Sequence, residues 1–193
     1  MESNNSSIPA DRPGSTRKPR SDAQRNRELI IQVAKEAFTE NGAGTSLDDI
    51  AKKAGVGPGT LYRHFPTREA LLEAVYRTDV ESLAEAADRL NEDLPPMEAL
   101  RAWLDLFIDH LATKKVIAAA LNGSVFEENA SKIAGAVGSI YARAALAGEI
   151  RADIVPSDHL RAIVGVTFFG KSEEWRDSAT RLVDILLLGS RPL

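Results

Sequence analysis

The chain has 193 residues, 44% of them hydrophobic, a formal net charge of -4 and no cysteine. That length can bury a core in one or two domains, and without cysteine both disulfides and Cys-based zinc sites are excluded. The opening stretch MESNNSSIPADRPG has no apolar segment of the secretory kind. The longest apolar run, residues 162–169, falls far short of the roughly 20 residues that span a bilayer, so a cytoplasmic protein with no membrane partner is expected.

The charge is uneven. Residues 1–70 carry 11 Lys+Arg against 9 Asp+Glu, whereas residues 71–193 carry 13 against 19. Six bases, Arg12, Arg17, Lys18, Arg20, Arg25 and Arg27, crowd the start with one acid, Asp22, among them. A basic front on an acidic body points to a polyanion at one end, or to a solvated tail. Ala, Leu, Glu and Arg recur every three or four residues and β-type alternation is nearly absent, which predicts an all-α fold.

In chain order, residues 1–20 are Ser-, Pro-, Asn- and Arg-rich with almost nothing to bury, and are expected to form a disordered basic arm. Ser21 or Asp22 can cap a first helix whose apolar face is Ile30, Val33, Ala34, Ala37 and Phe38. Asn41-Gly42 stops it. Thr45 or Ser46 caps a short second helix with Leu47, Ile50, Ala51 and Ala54 inward, and Gly55 ends it. Gly55-Val56-Gly57 is then a tight turn. Pro58 fits the first position of a third helix, which Pro66 closes. A helix, a three-residue glycine turn and a second helix make the pattern of a helix-turn-helix over residues 21–66. Leu61 and Phe65 can face inward, which leaves Thr60, Tyr62, Arg63 and His64 to present hydroxyl, phenol, guanidinium and imidazole outward. Those tips suit phosphate oxygens and base edges. The backbone amides of Gly57 and Gly59 can also approach a phosphate, since no side chain blocks them. The same polar tips also fit a solvated corner of a helical bundle.

Residues 67–193 are expected to form a second helical domain. Thr67 caps a long helix with Leu71, Leu72, Val75, Tyr76, Val80, Leu83, Ala87 and Leu90 on one side. A further helix follows Pro95-Pro96, with Leu100, Trp103, Leu104, Phe107, Ile108 and Leu111 in helical register. A short helix over 114–121, closed by Asn122-Gly123, and three more over 126–147, 156–169 and 173–188 bring the expected total to about nine. Tyr76, Trp103, Phe107, His110, Tyr141 and Phe168 are candidates to line a ligand cavity, although aromatic residues at helical spacing also serve as plain core. Ile163, Val164, Val166, Phe168, Phe169, Leu182, Ile185, Leu186 and Leu188 are apolar on too many sides for a monomer and predict a dimer seam on the last two helices.

Enzymatic signals are weak. The glycine triplet at 55, 57 and 59 follows a helix, whereas a nucleotide loop follows a strand, so no cofactor is expected. His64, His110 and His159 lack metal-ligand spacing, and no nucleophile–base or paired-carboxylate motif stands out. An all-helical small-molecule binder without a DNA role and a helical enzyme are the competing classes.

Ser46-Leu47-Asp48-Asp49-Ile50-Ala51, Ala54-Gly55-Val56 and the run Gly59 to Leu71 resemble the N-terminal domain of the TetR family of bacterial transcriptional regulators, over roughly residues 25–75. The resemblance implies a homodimer that binds a palindromic DNA operator, with a small-molecule effector in its C-terminal domain. It implies DNA contacts from Gly59, Thr60, Tyr62 and His64, from Arg68 at the start of the fourth helix, and from the cap of the second helix, Thr45 or Ser46. Gly57 and Pro58 stand where the family usually has polar, often base-reading residues. Direct readout is therefore expected to rest on Tyr62, Arg63 and the basic arm in a minor groove.

Overall fold

The computed structural model describes residues 19–121, 123–168 and 174–192. The expected basic arm over 1–18 and the seam residue Phe169 lie outside them. The described residues form eight α-helices: α1 (Pro19–Asn41), α2 (Leu47–Lys53), α3 (Pro58–His64), α4 (Arg68–Asp93), α5 (Pro96–Ile117), α6 (Gly123–Leu146), α7 (Pro156–Val166) and α8 (Trp175–Gly189), with one 3-10 turn at Ala118–Ala120.

The stops are set by backbone chemistry. Gly42 and Gly55 end α1 and α2 with φ of 84° and 67°, a region that side chains with a Cβ rarely enter. Ser46 caps α2 by accepting from the Asp49 amide, and Thr67 caps α4 by accepting from the Ala70 amide. Pro58, Pro96 and Pro156 open their helices at positions where a missing N–H costs nothing.

α7 ends at Val166, short of the expected 169, and three other boundaries differ more in kind. α1 begins at Pro19, so Ser21 and Asp22 lie in its first turn and are not its cap. The separate helix expected over 114–121 does not exist. Ala112-Thr113-Lys114 contains no helix breaker, and Thr113 and Ile117 continue the buried face of Phe107, His110 and Leu111, so α5 runs on to Ile117. Gly123 opens α6 where a stop was expected, and Asn122 lies outside the described residues.

One apolar core runs through the molecule. It joins Ile30, Phe38, Ile50, Leu61 and Phe65 of the first three helices to Leu71, Tyr76, Trp103, Leu104, Ile140 and Val183 of the rest. α4 is the shared wall, packing on α1, α5 and α6. The indole N–H of Trp103 donates to the Leu83 carbonyl at 3.0 Å, which satisfies the ring's one polar atom inside the core.

α7 is tied to α6 and α8 by a buried polar chain. The Tyr141 hydroxyl lies 2.5 Å from His159 Nδ1, Ser190 Oγ lies 3.5 Å from Nε2, and Ser190 donates to the Leu186 carbonyl at 2.6 Å. The tautomer protonated on Nε2 satisfies every member: the phenol donates to Nδ1, and Nε2–H donates to the serine oxygen. Burial holds the His159 pKa below its ordinary value, against a smaller opposing effect of Asp158. Below about pH 6.5 the unfolded chain therefore binds a proton that the folded chain refuses, and stability falls as pH drops through that window. His159→Gln is expected to reduce the slope of melting temperature against pH below that value; an unchanged slope would place the acid sensitivity elsewhere.

Candidate nucleic-acid interface

α3 has seven residues, too few to persist alone. Its pose comes from Leu61 and Phe65, both buried against the first three helices. The cation of Arg27 lies 5.3 Å from the Phe65 ring centroid and covers that anchor from α1. With one face pinned, the opposite face is fixed in direction. Tyr62 is 46% exposed, Arg63 is exposed, and Thr60 and His64 are half-buried. Arg63 Nε donates to the Gly59 carbonyl at 3.0 Å, which leaves the outer nitrogens of its guanidinium pointing away from that bond.

The turn before α3 is open. Gly57 caps the helix with an ordinary φ of -69° and no side-chain bond. A Cβ at Gly57 or Gly59 would meet nothing within 4 Å. Neither packing within the chain nor, at Gly57, backbone conformation demands glycine here. Their effect is to leave the α2–α3 corner bare, so that a second molecule can come close to the main chain. The amide of Gly59, in the first turn, has no intrahelical acceptor.

The structure divides the other expected contacts. Ser46 is exposed, and its oxygen accepts from the Asp49 amide, which leaves its O–H available as a donor. Thr45 differs: its O–H is directed at the Gly42 carbonyl, 2.8 Å away, and lies 3.3 Å from that of Ala37. It cannot donate to a phosphate without giving these up. Arg68 Nη1 donates to the carbonyls of Ala43 and Thr45 at 2.7 and 2.6 Å. Arg68 therefore ties the start of α4 to the α1–α2 loop, and its position in the sequence gave no sign of that.

The expected ligand-lining residues do not form one group. Tyr76, Trp103, Phe107 and His110 make a continuous buried column. Trp103 and Phe107 stack at 5.7 Å, Phe107 and His110 at 6.0 Å, and Tyr76 lies 5.5 Å from His110 and 5.0 Å, edge-on, from Phe126. Burial, reinforced by nearby Asp79, pushes the Tyr76 hydroxyl up to about 12. Tyr141 belongs instead to the His159 cluster. Phe168, two residues beyond α7, is 78% exposed and stands outside the buried ring column.

The sequence reading missed a buried charge. Asp79 stands on the inner face of α4, in register with Leu72, Val75, Tyr76, Val80 and Leu83, all buried. Its Oδ1 is paired with Lys35 of α1, and its Oδ2 lies 2.7 Å from His110 Nδ1 of α5. An acid in the register of an apolar stripe was the available signal.

The comparisons decide the family. Residues 30–75 match the model of bacterial regulatory proteins, tetR family, and residues 95–192 match that of the transcriptional regulator SbtR-like C-terminal domain. The chain belongs to the TetR family. The crystal structure of the TetR transcriptional regulator SCO0520 from Streptomyces coelicolor is 40% identical, with a TM-score of 0.74, over 86% of this chain and 98% of that one. The structure of a TetR transcription regulatory protein from Mycobacterium vanbaalenii is 29% identical, with a TM-score of 0.73, over 90% and 99%. The HTH-type transcriptional regulator SAR2658 of Staphylococcus aureus (strain MRSA252) is 33% identical over 117 residues, 58% of this chain. The chain spans 63% of that relative's length. In this TetR-family chain α2 and α3 are the helix-turn-helix, and α4 to α8 are the body that carries it.

Arg68→Ala, which removes two bonds from a charged donor, is expected to lower unfolding free energy by about 1–3 kcal/mol in urea titration. Arg63→Ala, whose tip is solvated, should change it by less than about 0.5 kcal/mol. Equal losses would mean that the structural and presenting roles are not separated as described.

Proposed function

We propose that this TetR-family regulator is a dimeric repressor that sits on a palindromic operator and is released by a hydrophobic or aromatic small molecule. The observation that carries the proposal is the exposed edge of α3, with Tyr62, Arg63 and His64 held outward by two buried anchors. In this reading Tyr62 and Arg63 read base edges, His64, Thr60 and Ser46 contact phosphates, and Gly57, Pro58 and Gly59 let the backbone approach. The two recognition helices of a dimer enter successive major grooves about 34–36 Å apart.

The mate is expected on α7 and α8. Ile185 and Leu188 are 66% and 69% exposed, while Ala179, Val183 and Leu187 of the same helix face the core. Phe168, just beyond α7, is also exposed, and a single chain leaves these large apolar side chains in water. The effector is expected to part the ring column of Tyr76, Trp103, Phe107 and His110, which spans α4 and α5. Because α4 carries the head at its first residue, a tilt there changes the spacing of the two heads. Moving operator occupancy from 99:1 to 1:99 needs an effector preference of about 5.5 kcal/mol for the released form.

Tyr62→Ala and His64→Ala should each weaken binding to DNA flanking the protein's own gene by tenfold or more, about 1.4 kcal/mol, in fluorescence anisotropy, with dimerisation unchanged. Binding by the parent protein should fall steeply with salt; a flat salt response or full affinity in both variants would reject α3 as the reading element. The double variant Ile185→Glu, Leu188→Glu should sediment as a monomer, and a dimer that persists would move the seam off α8.

A further inference from the structure

Asp79 sits where two clefts meet. One, about 370 Å³, lies between α1 and α4 and is lined by Glu28, Ile31, Lys35, Val75, Asp79 and Glu81 among others. The second, about 240 Å³, lies between α4 and α5, and Lys35, Asp79 and Ser82 line both. The Asp79 carboxylate is 5% exposed, whereas the Lys35 side chain that neutralises it is 45% exposed. The fixed member of the pair is thus an anion at the floor, and the movable member is a cation on a flexible stem at the mouth. His110 closes the other carboxylate oxygen from inside.

We propose that this cleft is a binding site for an organic cation, an alkyl- or arylmethyl-ammonium or a guanidinium, and that the Lys35 ammonium is its built-in stand-in. The chemistry selects the sign of the ligand. An anion that drew Lys35 away would leave a buried carboxylate with half its partners, an arrangement that costs more than the new pair returns. A neutral molecule offers Asp79 no replacement charge. A cation takes the place of Lys35 one for one, while Lys35 swings into water from a position already half-solvated. Ile31 and Val75, both buried, supply an apolar wall for the ligand's hydrocarbon part, and the cleft's lining carries three acids, Glu28, Asp79 and Glu81, against two bases, Arg27 and Lys35. Occupancy would replace the Lys35–Asp79 pair between α1 and α4, a consequence for DNA binding that rests on the regulator reading; the binding itself does not.

The test uses the full chain without DNA, with benzylammonium as the probe and benzyl alcohol as its neutral counterpart, followed by calorimetry or ligand-observed NMR near neutral pH. The parent protein is expected to bind benzylammonium weakly and saturably. Lys35→Met should bind it at least about tenfold tighter, because the carboxylate has lost its stand-in. Adding Asp79→Asn to Lys35→Met should abolish binding, and benzyl alcohol should bind none of them. Absence of saturable binding to Lys35→Met at millimolar probe, equal affinity in parent and Lys35→Met, or equal binding of benzyl alcohol would each overturn the site. If the double variant does not fold, the comparison of parent with Lys35→Met and the benzyl alcohol control still decide. Because no DNA is present, failure here leaves the role of α3 untouched.

Discussion

Burial of Leu61 and Phe65 is the contact on which the outward face of α3 depends. A two-turn helix has too few internal hydrogen bonds to resist fraying, and glycine at its cap and proline at its first position add no side-chain bond of their own. The two apolar anchors replace that missing local stability with tertiary stability. Arg27 over Phe65 and Arg68 across the α1–α2 loop then hold the neighbouring elements in one frame. The polar tips of α3 are thereby presented on a rigid support.

The same economy governs α4. It is at once the wall on which α1 packs and the wall that α5 and α6 share. A rigid helix in both layers transmits displacement, and the buried Asp79 marks the point where it meets α1 and α5 together. A buried ion pair is weak evidence for stability, since desolvation offsets most of the attraction. Its value here is positional. Lys35 and His110 each find their partner only when α1, α4 and α5 are in this register.

The body is held differently at its two ends. Near α4 and α5 the interior is a column of rings whose His110 end meets the buried carboxylate of Asp79. Near α7 and α8 it contains the Tyr141–His159–Ser190 chain, whose members satisfy one another. The outer face of α8 remains apolar around Ile185 and Leu188, so one helix has a core face and a second face with the composition of an interface.

Much was legible from the chain alone. Helical periodicity, the Gly42 and Gly55 stops, a cap at Thr45 or Ser46, the Thr67 cap and the inward register of Leu61 and Phe65 are local properties, set within a few residues by backbone sterics and the 3.6-residue repeat. So was the helix-turn-helix, a spacing pattern. The length of α5 is less legible: its apolar register is plain to Leu111, and only packing shows that Thr113 and Ile117 continue the buried face in place of a separate helix over 114–121. Only the tertiary structure decided that Arg68 spends its donors on the Ala43 and Thr45 carbonyls, that Phe168 lies outside the ring column, and that Asp79 joins Lys35 and His110, 44 and 31 residues away. Such partnerships depend on how whole helices pack against one another, and no periodicity within a single helix encodes which distant side chain its buried charge will meet.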